Sequence, residues 1–304
     1  MKLSIIVPVF NAEETLSELY SRIEFTLKDS FEYEVLFIHD GGTLSSWGAI
    51  TRLKDQKGSK IKAIKLARNF GQHNAIICGI EKAEGDLIIT MDEDLQHAPE
   101  DILKLLACQN QNDSDIVYGA YVKRKHSGIR NIASGVLNRL LRMAIPGLHK
   151  DYSAFRLIKT NIAKQIIGMK SSYTFIDGYL SRITDKVSST PVSHFRSEIG
   201  PSSYSLQKLI WHSVSIILEY SRNLLKNLWI LSIVSIVTGT ALILMRVFNI
   251  SHYQGNVKIS IEILFIILLL IGLFFLGLVL LGEYIRKYNL ETQSETKDEI
   301  LQIK

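Results

Sequence analysis

Cysteine is nearly absent: the 304 residues hold only Cys78 and Cys108, both in helical patterns. Two such positions make no disulfide framework and read as reduced, structural thiols in a reducing compartment. No small-residue cleavage site follows the first apolar run, which Pro8 interrupts, so the N-terminus reads as a first strand rather than a leader. A basic arm and any interleaving of aromatic with basic residues are also missing, and the formal net charge is a modest +5. That balance gives no nucleic-acid signal and suits an anionic membrane surface or phosphorylated substrates. No internal repeat is present.

Charge is absent from two long stretches. Residues 228–245 (18 residues) and 263–282 (20 residues) carry none. At 1.5 Å of rise per residue each can cross a hydrocarbon core about 30 Å thick. Arg222 and Lys226 flank the first run, Arg286 and Lys287 follow the second, and the loop 249–259 has only Lys258. Such a bias predicts a two-helix membrane hairpin with both termini, and the residues before the first run, in the cytoplasm.

The first 120 residues alternate strand-like and helix-like patterns. Apolar β-rich runs cover 3–10, 33–39, 61–66, 86–91 and 115–119, with helical patterns starting near Ala12, Leu44, Gln72 and Pro99. This alternation predicts an α/β fold with a mostly parallel sheet covered on both faces. Ligands of such sheets bind at the carboxyl ends of the strands, where Asn11, His39, Asp40, Arg68, Asn69 and Asp92 to Asp94 all fall. Residues 127–147 place Ile129, Ile132, Val136, Leu137, Leu140 and Leu141 at helical spacing among Arg130, Arg139 and Arg142. That pattern fits an amphipathic helix in the membrane interface, or equally a helix packed on the sheet. Residues 206–225 form a second such segment, with Trp211 and Tyr220 suited to the headgroup level. The expected division is a domain over 1–205, a juxtamembrane helix over 206–227, two spans over 228–285, and a polar, disordered tail over 286–304.

The sharpest local signal is the apolar strand at 85–91 that ends in Asp92-Glu93-Asp94. Mg²⁺ and Mn²⁺ prefer oxygen ligands and keep positions open for a substrate diphosphate, so Asp92 and Asp94 are candidate metal ligands. Asp at a strand end is also a common turn former, and the pair alone decides nothing.

Its companions decide more. Ser4 to Asn11 opens the chain, Asp40-Gly41-Gly42 follows the second strand, Leu66 to His73 follows the third, and Asp92 to Gln96 follows the fourth. In this order they resemble the inverting glycosyltransferases of family 2, which have a GT-A type fold. Leu281 to Ile285 after the second span extends the likeness to the polyprenyl-phosphate glycosyltransferases. That group includes dolichyl-phosphate mannose synthase, undecaprenyl-phosphate glucosyltransferases and the undecaprenyl-phosphate 4-deoxy-4-formamido-arabinose transferase, whose look is nearest.

The resemblance implies transfer of a sugar from a UDP-type nucleotide-sugar to a polyprenyl phosphate, with Mg²⁺ or Mn²⁺. It also implies a homo-oligomer, a tetramer among the options, in a bacterial inner membrane, serving cell-envelope glycan or lipid modification. By matching positions, Pro8, Asn11, Glu13, His39, Asp40, Arg68 and Asp92 line the donor. Asp94 and Asp151 are the catalytic candidates, Asp151 as base, as orienter of the acceptor, or as partner of Arg156. Guanidinium forks match phosphate oxygens, so Arg124, Arg130 and Arg139 are candidates for the acceptor phosphate. For His73 and His97 a helix-capping role is expected. The chain departs from the family at His39, in place of Asp, at Gly42, in place of Ser, and at Ser197 and Ser203, in place of basic residues. Those departures keep two alternatives open: a hydroxyl or lipid-linked saccharide acceptor, and a catalytically weak scaffold subunit.

Overall fold

The computed structural model describes residues 1–121, 138–169, 174–195, 216, 220, 222–248, 256–294 and 300–303. Its centre is the predicted alternation. β1 (Lys2–Val9), β2 (Glu32–His39), β3 (Ile61–Leu66) and β4 (Leu87–Thr90) run parallel, joined through α1 (Leu16–Leu27), α2 (Leu44–Lys57) and α3 (Gln72–Lys82). β1 is apolar almost throughout because both of its faces are covered. Leu3, Ile5, Val7 and Val9 pack with Leu16, Ile23 and Ile50, while Ile6 packs with Ala75, Ile76 and Ile80 of α3.

Beyond β4 the sheet departs from a simple parallel order. The helix α4 (Ile102–Asn112) leads to β5 (Ile116–Tyr121), and β7 (Val187–Val192) pairs parallel with it at the edge. The strand beside β4, however, is β6 (Arg156–Lys159), antiparallel to both β4 and β5. It seats Arg156 opposite Thr90 on one side and Tyr118 on the other. The full order is β7-β5-β6-β4-β1-β2-β3-β8, with β8 (Ile300–Ile303) antiparallel to β3.

Two segments differ from expectation, the tail and Tyr220, and a third, 138–144, takes one of the two readings its sequence left open. The tail is not uniformly irregular: helix continues to Ser294, and 300–303 closes the β3 edge, whose backbone groups would otherwise stay unpaired. Residues 138–144 are helical, and Leu141, Ala144 and Ile145 pack with Tyr118, Ile158 and Phe175. This part therefore packs on the domain while Leu140 and Met143 keep an exposed apolar face; 127–137 lies outside the described residues. Tyr220 does not sit at an open surface. It is buried, and its hydroxyl donates to the Phe175 carbonyl at 3.0 Å.

The apolar runs form α5 (Arg222–Val247) and α6 (Asn256–Ser294), whose segments Lys226–Met245 and Ile263–Tyr284 are long and apolar enough to cross a membrane. They pack antiparallel through small residues. Ser235 Oγ donates to the Leu268 carbonyl at 2.6 Å, and Gly272 lies so close to α5 that a Cβ there would sit 2.9 Å from the Ile236 nitrogen. Their outer faces expose Trp229, Ile233, Val237, Leu270 and Phe274, a surface that fits lipid rather than water.

Candidate active site

The carboxyl ends of β1, β2 and β3 meet in one tied group of loops. The Asp40 amide donates to the Val9 carbonyl at 2.8 Å, and its carboxylate accepts the Phe70 and Gly71 amides at 2.7 and 2.9 Å. Asp40 is buried, so its first role is to hold the 68–71 loop in place; burial raises its pKa and those two amides oppose the rise. Asn11 Oδ1 accepts the Thr43 amide at 3.0 Å, and Thr43 in turn caps α2. Gly42 has a local reason to differ from the family's Ser. A Cβ there would lie 1.4 Å from the Phe10 carbonyl oxygen, so the β1 and β2 loops can meet only over glycine.

His39 is buried at the end of β2, with Nε2 3.1 Å from the Thr43 carbonyl. A carbonyl only accepts, so Nε2 carries the proton and Nδ1 is left as a buried acceptor without a partner among the described residues. Burial lowers its pKa and keeps the ring neutral. Pro8 is buried in β1 opposite Ile38. Glu13 is exposed and pairs with Arg52 at 3.6 Å, and the Arg68 guanidinium lies 5.1 Å over the Phe70 ring.

The β4 end brings the three carboxylates against these loops. Asp92 Oδ1 accepts from Gln72 Nε2 at 2.5 Å, at the first residue of α3, and the Asp92 amide donates to His97 Nδ1 at 3.1 Å. Glu93 Oε1 accepts the Phe10 amide at 3.3 Å and the Glu93 carbonyl accepts from Thr15 Oγ1 at 2.7 Å, which ties the motif to the β1 loop. Asp94 Oδ1 accepts the Gln96 amide at 3.1 Å, and Leu95 between them takes a left-handed φ of 59°. A branched residue there signals strain held by its surroundings.

Burial opposes the charge of all three carboxyls. It pushes Asp92 up to about 6, against the pull of Arg156 and Gln72, and Glu93 up to about 7, with Asp92 and Asp94 adding to the rise. Asp94 is raised by burial as well, and by Asp92. His97 is held down to about 4 by burial, so it is neutral and serves Asp92 as an acceptor rather than as a helix cap. His73 sits in the first turn of α3, edge-on to Phe175 at 5.4 Å. Among the described residues no three His, Cys, Asp or Glu side chains form a ready metal cluster. Asp92 and Asp94 still fit a hard divalent cation: both offer oxygen, and a substrate diphosphate can supply the remaining ligands.

Asp151 Oδ2 accepts from Ser189 Oγ of β7 at 2.8 Å. Arg156 is not its partner. That guanidinium is 1% exposed and pairs with buried Asp177, while its Nε donates to Thr90 Oγ1 at 3.1 Å. Arg139 is exposed on the helical stretch 138–144. Arg124, Arg130, Ser197 and Ser203 lie outside the described residues. Gln72, Tyr121 and Asp177 carry no local signal for a role here, because only the folded registry brings them to the β4 end.

The chain matches the model of glycosyl transferase family 2 over residues 4–170. It is 33% identical to the undecaprenyl-phosphate 4-deoxy-4-formamido-L-arabinose transferase of Sodalis glossinidius, over 95% of this chain and 90% of that protein. The protein of the same name from Enterobacter sp. is 31% identical, over 97% and 91%. Among solved structures, glucosyl-3-phosphoglycerate synthase from Mycobacterium tuberculosis, crystallised with Mn²⁺ and UDP-glucose, superposes with a TM-score of 0.53. That match covers 71% of this chain and 77% of the other at 14% identity, which supports the GT-A fold alone. The family match, the relatives and the fold together make this chain a glycosyltransferase of family 2.

Proposed function

We propose that this glycosyltransferase moves a sugar from a nucleotide-sugar to a polyprenyl phosphate at the cytoplasmic face of a bacterial inner membrane, with inversion and with a divalent metal. The observation that carries this reading is the half-buried pair Asp92 and Asp94, set at the β4 end in a chain that also holds two lipid-compatible helices. Relatives named for undecaprenyl phosphate support the acceptor class.

The carrier phosphate oxygen attacks C1 of the sugar opposite the leaving group. The bond from C1 to the diphosphate breaks, and its electron pair goes to the departing diphosphate oxygen. A lipid monophosphate has a second pKa near 6, so it is already mostly ionised at neutral pH and needs little deprotonation. Asp151, held by Ser189, therefore orients the acceptor rather than removing a proton. Pro8, Asn11, Glu13, His39, Asp40 and Arg68 bound the donor side, and Arg124, Arg130 and Arg139 grip the acceptor phosphate. A Mg²⁺ or Mn²⁺ held by Asp92 and Asp94 supplies positive charge against the diphosphate. Much of the rate comes from holding two anionic reactants in line, and the hairpin raises the effective concentration of lipid and enzyme on one surface.

The test is to incubate the purified full-length protein with polyprenyl phosphate, Mn²⁺ and a panel of nucleotide-sugars, and to identify lipid products by mass spectrometry. A glycosyl polyprenyl phosphate is the expected product. Transfer only to a hydroxyl or saccharide acceptor would replace the acceptor assignment, and no turnover of any donor would favour a scaffold.

A further inference from the structure

Arg156 is the largest wholly buried side chain among the described residues, and a strand beside a sheet centre is a costly place for a guanidinium. Its charge is paired and hydrogen-bonded. Asp177 pairs with it, Tyr118 Oη donates to the same Asp177 Oδ1 at 2.8 Å, and Arg156 Nε donates to Thr90 Oγ1 at 3.1 Å. Thr90 Oγ1 in turn donates to the Ala154 carbonyl at 2.6 Å. A well-packed apolar pair of similar volume generally serves stability as well as a buried ion pair does. Stability alone therefore does not explain why this position carries charge.

Its location points to a role. Thr90 is the last residue of β4, two positions before Asp92, and the Arg156 and Asp92 charges act on each other. The Asp177 end is braced as well. Asp177 lies on the short helix Ile176–Leu180, where Tyr220 packs over Gly178 and its hydroxyl is fixed to the Phe175 carbonyl. One buried network thus runs from the segment preceding the first span to the residue that launches the carboxylates.

We propose that Arg156 and Asp177 are positioning residues: Arg156 anchors the end of β4 through Thr90 and balances the carboxylate charge beside it, and Asp177 sets how much of that positive charge Asp92 feels. Neither touches substrate. The part of this role that concerns a metal rests on the proposed function, whereas the anchoring of β4 does not.

Two readouts separate the parts, both on full-length protein in detergent. The first is hydrogen exchange of the peptide covering 90–94 against α1 as a distant reference. Asp177→Asn is expected to speed exchange at 90–94 about tenfold while α1 stays as in wild type. The second is Mn²⁺ titration by the loss of the free-ion spectrum in electron paramagnetic resonance. Asp177→Asn leaves an extra positive charge near Asp92 and is expected to weaken Mn²⁺ binding about tenfold, whereas Arg156→Met removes one and does not weaken it. General damage would weaken both. Equal exchange at 90–94 and α1, together with Mn²⁺ affinity that moves the same way in both variants, would show a folding pair and overturn the proposal. If wild type binds no Mn²⁺, the metal reading fails by itself and the exchange experiment decides the positioning role. Should the single variants not fold, the double variant R156M/D177L decides it. Wild-type exchange at 90–94 and wild-type Mn²⁺ affinity in that variant refute the role, and selective loosening of 90–94 supports it.

Discussion

His97 Nε2 donates to the Tyr121 hydroxyl over 2.6 Å, because the other ring nitrogen already accepts the Asp92 amide. One neutral imidazole thereby fixes the backbone of the first candidate metal ligand to the last residue of β5. The Tyr121→Phe variant leaves a buried N–H without its acceptor, an expected loss of about 1–3 kcal/mol. A lowered Tm in thermal melts checks it, and an unchanged Tm would mean that another acceptor replaces the hydroxyl.

Asp92→Asn and Asp94→Asn should each cut transfer by at least about a hundredfold, since each removes a charge from the group that answers the diphosphate. Circular dichroism should remain that of wild type, because burial opposes the carboxylate charge of both residues and an amide carries none. Wild-type turnover of both variants at limiting Mn²⁺ would remove the metal assignment.

His39 makes stability depend on pH. Burial lowers its folded pKa below the ordinary value of about 6.5, so in acid the unfolded chain takes up a proton that the folded chain refuses. Its contribution is complete above about pH 6.5 and is lost as the pH falls below that value. His39→Gln keeps a donor for the Thr43 carbonyl and does not titrate. The Tm difference between wild type and this variant should therefore shift in favour of the variant from pH 7.5 to 5.5. Parallel pH curves would show that His39 is protonated as readily in the fold as out of it.

Gly178→Ala tests the seat of Tyr220. A Cβ at 178 would come 2.5 Å from Tyr220 Cε1 and 3.0 Å from Phe175 Cδ1. The expected cost is about 1–3 kcal/mol of overpacking, read as a lower Tm, with recovery in the double variant with Tyr220→Leu. Failure of that second change to restore Tm would place the cost elsewhere.

By the positive-inside rule the cationic flanks at one end of both runs predict that the loop 249–259 lies outside the cytoplasm. Ser251→Cys in a Cys78→Ser, Cys108→Ser background should react with an impermeant thiol reagent added to intact cells. Labelling only after the cytoplasmic side is opened would reverse the topology.

Local rules made much of this protein legible. Short apolar runs bounded by polar residues specify β1 to β5, and two charge-free stretches specify the long apolar helices, because burial on both faces or in lipid demands continuous apolar sequence. The carboxylates at the β4 end were equally readable, since strand ends of such sheets face the ligand. Pairing across long separations was not. β6 has only four residues and no alternation of its own, so nothing local announced that it would enter between β4 and β5 and bring Arg156 beneath Thr90. Asp151 and Arg156 are close in sequence and opposite in charge, yet strand pleating and the placement of the 176–180 helix give Arg156 to Asp177 and leave Asp151 to Ser189. Tyr220 carries an interfacial residue's chemistry, but the gap above Gly178 buries it in the domain. Sequence sets which segments must be buried; the partners of buried charges follow only from the register in which those segments meet.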